Sequence, residues 1–253
     1  MTPATGARDE HAATVAGWIY RRRDAIWEDH MSIGVRTAVQ SVIALLAFGL
    51  MLFVPAGTLH YWQAWVFLAV FTIASLSTVY LSRKDPAVVE RRMRAGPKAE
   101  TRPVQKLVAA GITILYCAQL VFSALDHRFG WSPVPPALSL TGDALVVIGL
   151  GIAIFTVNQN SYAAANITVE ESQTVISTGL YGIVRHPIYM GVMIMMTGIP
   201  LALDSYWGLA LLVPMPILFA VRIADEEKLL NQELEGYRDY VGKVRHRLVP
   251  YVW

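Results

Sequence analysis

Hydrophobic positions along the chain gather in long runs separated by short polar stretches. Four runs have about the 20 residues that a helix needs to cross the roughly 30 Å hydrocarbon core of a bilayer. They cover residues 35–54, 62–81, 104–124 and 141–157. Two shorter runs, 188–203 and 206–222, follow and are joined only by Asp204 and Ser205. The pattern predicts an all-α, polytopic transmembrane bundle of about six spans, followed by a cytosolic C-terminal helical segment. The last two spans form a tight helical hairpin with prolines in or beside them.

The charged loops predict which ends of the spans face the cytosol. Three arginines at 21–23 precede the first span, and the loop SRKDPAVVERRMRAGPKAETR after the second span is rich in Lys and Arg. The 125–140 loop has one Arg and the hairpin turn has none. Because basic loops stay in the cytosol, residues 158–187, the basic tail 223–253 and both termini are expected there, in a cell inner membrane.

Composition supports a membrane protein: 55% of the residues are hydrophobic and 16% are charged, and the mean hydropathy is +0.43. Membrane lipids are thus the expected surroundings, and no nucleic-acid partner is expected. The single cysteine, Cys117, excludes an internal disulfide and a multi-cysteine metal site. Residues 8–30 are compatible with an interfacial amphipathic helix. We predict an N-terminal segment at 1–33, four spans in 34–157, and a core that carries the motifs at 158–253.

Several catalytic signatures of soluble enzymes are missing: GxxxxGK[ST], GxSxG, HExxH, and a GxGxxG between a strand and a helix. No metal site is predicted. The GLG at residues 149–151 lies inside a span, where it indicates close helix packing; a close backbone approach to a cofactor is the alternative. A site must therefore be sought in the polar clusters near the span ends.

The first polar cluster is the string ISTGLYGIVRHPIYMG, residues 176–191. Arg185 and His186 stand directly before Pro187 at the predicted start of the fifth span, with a tyrosine on either side. Proline is favoured in the first turn of a helix, and a helix start offers unpaired N–H groups. The junction is therefore a candidate site for the carboxylate of an amino-acid-like ligand. For Arg185 alone, the alternative is a basic anchor at the membrane surface.

The second polar cluster is RIADEEKLL, residues 222–230, which leaves the last span. Arg222 lies four residues before Glu226 and five before Glu227, so its guanidinium shares a helical face with at least one carboxylate. A surface ion pair is the simple alternative. At a membrane boundary, however, adjacent acids are costly unless a cation lies between them. A sulfonium that carries an α-amino group would be such a cation.

These two clusters, in this order and separated by one helical hairpin, resemble the isoprenylcysteine carboxyl methyltransferase family and its relatives, the phospholipid N-methyltransferases. The matching strings are TGLYGIVRHPIYMG, RIADEEKLL and the tail EGYRDYVGKVRHRLVP. The resemblance implies an integral membrane methyltransferase that uses S-adenosylmethionine. It also implies a cofactor pocket that is closed by the C-terminal segments and open to the cytosol, with the acceptor entering from the membrane.

By the same resemblance, ten residues would bind the cofactor: Gln173, Val175, Tyr181, Arg185, His186, Pro187, Tyr189, Gly191, Glu226 and Glu227. Catalytic roles would fall to Arg185 and Arg222, which would orient the acceptor, and to Glu227, which would contact the charged end of the cofactor. The chain departs from the family in two places. It reads GLY at residues 179–181 where the family usually has GPY, and ESQT at residues 171–174 where a histidine is often found.

The acceptor is less constrained than the cofactor. Methyl transfer from a sulfonium is an in-line displacement that requires mainly a positioned nucleophile and the exclusion of water. A carboxylate is already ionised and matches the fork of Arg222 or Arg185. An amine or thiol must lose a proton, for which only His186 or a glutamate is at hand. Carboxylate O-methylation is therefore favoured, while N- or S-methylation of a phospholipid amine or a small thiol stays open.

Two other classes of protein compete with the methyltransferase. One is a nicotinamide-dependent membrane reductase related to the sterol reductases, which would be expected to have a longer chain and basic residues for a 2′-phosphate. The other is a transporter or scaffold without catalytic activity. The first four spans hold almost no charged residues, so a transporter would have no evident polar path. The oligomeric state is not predicted.

Overall fold

The protein is a bundle of helices in which the six predicted runs all appear. The structure, a computed structural model, describes residues 32–84, 89–90, 100, 102–162 and 173–253. Within them seven α-helices follow one another: α1 Ile33–Ala56, α2 Trp62–Lys84, α3 Pro103–Phe129, α4 Pro136–Gln159, α5 Pro187–Ala202, α6 Met215–Glu233 and α7 Tyr237–Lys243. Short 3-10 helices at Gly179–Gly182 and Trp207–Leu212 precede α5 and α6, and the described residues contain no strand.

Five helices are long and apolar enough to cross a membrane, which confirms the all-α transmembrane prediction. They are α1 to α4 and the continuous segment Trp207–Glu233 that includes α6. The remaining predicted span, α5, is apolar but only 16 residues long. Helix α6 continues to Glu233, beyond the predicted end of the last span at residue 222. The predicted amphipathic segment 8–30 lies outside the described residues.

Helix starts and ends follow local sequence signals. The side chain of Ser32 accepts a hydrogen bond from the backbone of Val35 and caps the start of α1. Three other helices, α3, α4 and α5, begin with a proline, whose missing N–H is not needed there. Gly57 and Gly130 end α1 and α3 in the left-handed conformation that glycine adopts without strain. These signals set the lengths of the helices.

Helices α4 and α5 approach each other closely through two pairs of glycines. A side chain added at Gly149 would meet the carbonyl oxygen of Gly191, and one added at Gly198 would lie 2.5 Å from the carbonyl oxygen of Gly142. In each helix the two glycines are seven residues apart, so they lie on one face. The GLG prediction is thus confirmed for Gly149, since its backbone packs against another helix.

Large apolar side chains on the outside of the bundle face the space that lipid occupies. On α1, for example, Val42, Ile43 and Leu46 are each more than half exposed. Inside the bundle a continuous core holds fully buried residues from every spanning helix, among them Leu52, Phe67, Leu120, Val146, Ile199 and Phe219. Together with the helix lengths, the apolar exterior marks the chain as an integral membrane protein.

A polar cluster ties the hairpin turn to the end of α3; we call Asp126, His127, Ser132, Asp204 and Ser205 the hairpin-end cluster. The Asp126 carboxylate accepts from the backbone N–H and the hydroxyl of Ser132 and from the Ser205 hydroxyl. The Asp204 carboxylate lies 2.8 Å from His127 Nδ1 and accepts from the backbone of the 130s loop. This satisfied network fixes the turn between the last two spans.

Contacts sort the loops into two groups, one at each end of the bundle. The hairpin-end cluster joins the 130s loop to the turn at 203–206. The loop before α2 lies at the same end, because the Tyr61 hydroxyl donates to the Leu203 carbonyl. The other end collects the start of α3, the segment 173–186 and the C-terminal tail. Sequence reasoning placed these same segments together on the cytosolic side.

Candidate active site

The segment before α5 is held in place by the C-terminal tail. The backbone N–H groups of Arg185 and His186 donate to the carbonyl oxygens of His246 and Arg247, both at 2.9 Å. Pro187, buried at the first position of α5, has no N–H. The amides just before α5 therefore bind the tail rather than being free for a ligand. This pairing lays the tail across the start of the helix.

Glu227 is the centre of a buried ionic cluster. Its Oε1 lies 2.6 Å from Arg185 Nε and 3.2 Å from His186 Nε2, and its Oε2 accepts from Arg247 Nε at 3.0 Å. Arg185 also donates to the carbonyl oxygens of Val244 and Arg245. The side chains of Arg185, His186 and Glu227 are each less than a tenth exposed. Burial is tolerated because each charge has an opposite charge and hydrogen bonds.

Glu226, the neighbouring acid on α6, contacts Tyr189 of α5. The Tyr189 hydroxyl donates to Glu226 Oε2 at 2.8 Å and accepts from Arg222 Nε at 2.9 Å. The His186 ring stacks on the Tyr189 ring, and its Nδ1 lies 3.7 Å from Glu226 Oε2. The second carboxylate oxygen of Glu226 has no hydrogen-bond partner in the described part of the chain, and the side chain is 23% exposed. This oxygen can accept a donor from outside the protein.

The start of α3 completes the surroundings of Arg222. Arg222 Nη2 lies 2.9 Å from Oε1 of Glu100, and its Nη1 donates to Gln105 Oε1 at 3.0 Å. One turn further along α6, Asp225 pairs with Arg102 at 2.8 Å and accepts from Gln105 at 2.6 Å. Glu100 and Arg222 are buried, at 3% and 5% exposure. A second ionic cluster thus lies next to the first on the same helix.

Helix α7 closes the site from the C-terminal side. The Tyr240 hydroxyl donates to the Tyr181 carbonyl at 2.8 Å, and Val175 packs against Tyr237 and Tyr240. Burial, followed by the charge of nearby Glu227, raises the pKa of the Tyr237 hydroxyl far above its ordinary value. Yet this buried hydroxyl has no hydrogen-bond partner within the described residues. A buried donor without a partner beside two glutamates is therefore a group that can donate to a ligand.

Most predicted cofactor residues come together at this end of the bundle. Arg185, His186, Tyr189, Glu226 and Glu227 are in direct contact, Pro187 lies among them, and Val175 and Tyr181 are joined to them through α7. Gln173 is half-buried at the start of the same segment. Gly191 is the exception, since it lies against the backbone of α4.

Sequence reasoning missed several residues that build the site. Arg247, Tyr237 and Tyr240 lie in the tail string that carried the resemblance, but no role was assigned to them. Glu100 and Gln105 gave no signal, because one of three acids in a basic loop and a glutamine in an apolar run have no distinctive spacing. Their roles depend on the packing of α3 against α6, which local sequence does not reveal.

Comparison with known families agrees with this geometry. No curated protein sequence matches the chain. The sequence model of the phospholipid methyltransferase family matches residues 138–235. This stretch contains most of α4, all of α5 and α6, and the residues that α6 and the start of α5 contribute to the ionic clusters, but not Glu100 or Arg247. The match covers both motifs from which the resemblance was drawn. Over residues 138–235, the chain is therefore similar to the phospholipid methyltransferase family.

Proposed function

We propose that the protein is an integral membrane methyltransferase that uses S-adenosylmethionine and acts on a membrane-soluble acceptor. The observation that carries the proposal is the buried, unpartnered hydroxyl of Tyr237 beside the two glutamates of α6. A donor in such a place needs a ligand acceptor, and the unpartnered oxygen of Glu226 needs a ligand donor. The α-carboxylate and the α-ammonium of the cofactor supply these two partners.

The residues at this end of the bundle fit a cationic, amino-acid-like cofactor. When bound, S-adenosylmethionine supplies an electrophilic methyl group, which leaves with the C–S electron pair remaining on sulfur. Glu226 would hold the ammonium group, and Tyr237 would donate to the carboxylate. Both oxygens of Glu227 already accept from basic side chains, which supports a role in which it holds Arg185 and His186 in place. The C-terminal tail and α7 would exclude water from the site of methyl transfer.

Two classes of acceptor remain for this site. A carboxylate, favoured from the sequence, would bind Arg222 or Arg185 and be converted into a neutral methyl ester. In the structure, Arg185 already pairs with Glu227 and Arg222 with Glu100. A carboxylate would therefore have to displace one of these glutamates. This observation favours the alternative, a nucleophile without charge such as an amine or thiol.

Calorimetric binding of S-adenosylmethionine to the purified protein tests the proposal. Tyr237→Phe should lower the affinity about tenfold or more without lowering Tm, because a ligand hydrogen bond is lost while an unsatisfied hydroxyl is removed. Glu226→Ala should also weaken binding, whereas Glu233→Ala, seven residues along the same helix and exposed, should not. No binding to folded wild type would contradict the proposal. Saturable binding of a reduced nicotinamide cofactor would then favour the reductase.

We further propose that the site end of the bundle and both termini face the cytosol, in a cell inner membrane. The basic loops support this orientation, as does the cytosolic location of S-adenosylmethionine. A reporter that fluoresces only in the cytosol, fused to either terminus, should be active. Activity of a periplasmic reporter at the C-terminus would contradict the six-span count.

A further inference from the structure

Arg222 already holds a carboxylate that belongs to the chain itself. Glu100, from the segment before α3, places Oε1 2.9 Å from Arg222 Nη2. The other two guanidinium nitrogens contact Gln105 and Tyr189 at 3.0 and 2.9 Å. All three nitrogens are therefore engaged, and both charged residues are at least nine-tenths buried. The place that an acceptor carboxylate would take is filled.

The charges around Arg222 make the region unfavourable for a second anion. Glu100 contacts Arg222 directly, and Glu226 is joined to it through the Tyr189 hydroxyl. Asp225, the next acid, is paired with Arg102. Among the described residues, two carboxylates thus share the one guanidinium. A further carboxylate here would meet like charge in a place largely screened from water, where repulsion is strong.

An uncharged nucleophile meets the opposite situation. As the methyl group is transferred to an amine, the nitrogen lone pair forms the new N–C bond, the C–S pair stays on sulfur, and positive charge develops on nitrogen. Nearby carboxylates stabilise that charge. The extra proton stays on the product nitrogen, and it is lost to bulk water only after the product is released. The products are a methylated amine and S-adenosylhomocysteine.

We propose that Glu100 determines the specificity of the site: by occupying Arg222, it excludes anionic acceptors and selects a nucleophile without charge. The inference rests on the proposed function. It differs from a purely structural reading, in which Glu100 only ties α3 to α6. That tie has a neighbour, the pair Arg102–Asp225, which joins the same two helices and meets Arg222 only through the side chain of Gln105. The neighbouring pair supplies a matched control.

The test uses three eight-carbon probes that differ in their head group: octanoate, octanol and octylamine. Binding is measured on full-length protein in lipid nanodiscs saturated with S-adenosylhomocysteine, whose own binding is measured first. Wild type should bind octanol, which is uncharged, and octylamine, which is a cation at neutral pH, at least about tenfold more tightly than the anion octanoate, a difference of about 1.4 kcal/mol. This comparison uses wild type alone, so it does not depend on whether a variant folds.

Glu100→Gln, which keeps the shape of the side chain, should bind octanoate at least about tenfold more tightly than wild type does, with octanol unchanged. Asp225→Asn should leave all three affinities unchanged, although it loosens the same pair of helices. Octanoate binding that is as tight in wild type as in Glu100→Gln would overturn the inference, as would an equal gain in Asp225→Asn. Failure to bind S-adenosylhomocysteine would instead count against the proposed function.

Discussion

The contact between α4 and α5 allows a sharp test of how the helices position the site. At Gly149 an added methyl group would lie 2.7 Å from both the backbone nitrogen and the Cβ of Met195, and would also meet the carbonyl of Gly191. Ordinary carbon contacts are about 3.5–4.0 Å. Because the obstacle is largely backbone, a rotamer change cannot relieve it. Gly149→Ala should therefore push the two helices apart by about 1 Å.

The size of the effect follows from this overlap. Overpacking of a close contact costs about 1–3 kcal/mol, which for a chain of this length lowers Tm by roughly 2–4 °C per kcal/mol. For the middle of that range, about 2 kcal/mol, we expect a loss of about 4–8 °C. The same displacement moves the start of α5, with His186 and Tyr189, relative to α6. Since a shift of about 1 Å can reduce turnover by as much as 100-fold, activity should fall more than stability does.

Thermal unfolding of detergent-solubilised protein, followed by circular dichroism, measures the effect. Gly151→Ala is the matched control, because it lies on the same helix and an added Cβ there has nothing within 4 Å. The control should be neutral or slightly stabilising, since alanine favours a helix more than glycine does. Equal Tm values for the two variants would refute the inference that the glycines set the distance between α4 and α5.

Three further predictions concern the site itself. Glu227→Ala and His186→Ala should weaken S-adenosylmethionine binding in calorimetry, because each opens the buried cluster; unchanged binding in both would remove the site assignment. Arg222→Ala should spare cofactor binding but lower turnover once an acceptor is known, as a comparison of Kd and kcat would show. Burial raises the pKa of the Tyr240 hydroxyl above its ordinary value near 10. The hydrogen bond from this hydroxyl to the Tyr181 carbonyl therefore stabilises the fold fully below pH 10, and the stabilisation is lost as the pH rises toward the higher pKa of the folded state. Tyr240→Phe should therefore lower Tm by about the same amount at every pH from 7 to 9. Above pH 10 the Tm of wild type should fall more steeply with pH than the Tm of the variant.

Hydropathy predicted the helices well because a bilayer imposes a simple length requirement on apolar runs. It also predicted the end of the last span near residue 222, where the chain turns polar, and α6 continues from there to Glu233. Nothing in that stretch breaks a helix, and its buried residues Arg222, Ile223 and Glu227 lie on an inward face. A change of polarity marks the exit from an apolar layer, which is a different event from the end of a helix.

The motifs predicted where the site lies better than they predicted what its charges do. Two adjacent acids at a membrane boundary suggested that a bound cation neutralises them. For Glu227 the cations are Arg185 and Arg247 of the chain itself; for Glu226, one oxygen is left unpartnered among the described residues. Sequence gives the charges but not their pairing, because each pair joins segments at least 20 residues apart.

The position of the glutamates also explains why the site needs the whole bundle. Arg185 and Tyr189 lie at or just before the start of α5, and their acidic partners lie on α6. The cluster therefore forms only when α5 and α6 keep their positions along the bundle axis relative to each other. At the far end the turn between them is held by Asp126 and Asp204, and along their length α5 is held by the glycines of α4. Because a helix transmits a displacement along its axis, weakening either of these contacts should shift α5 relative to Glu226 and Glu227, although neither contact lies near the site.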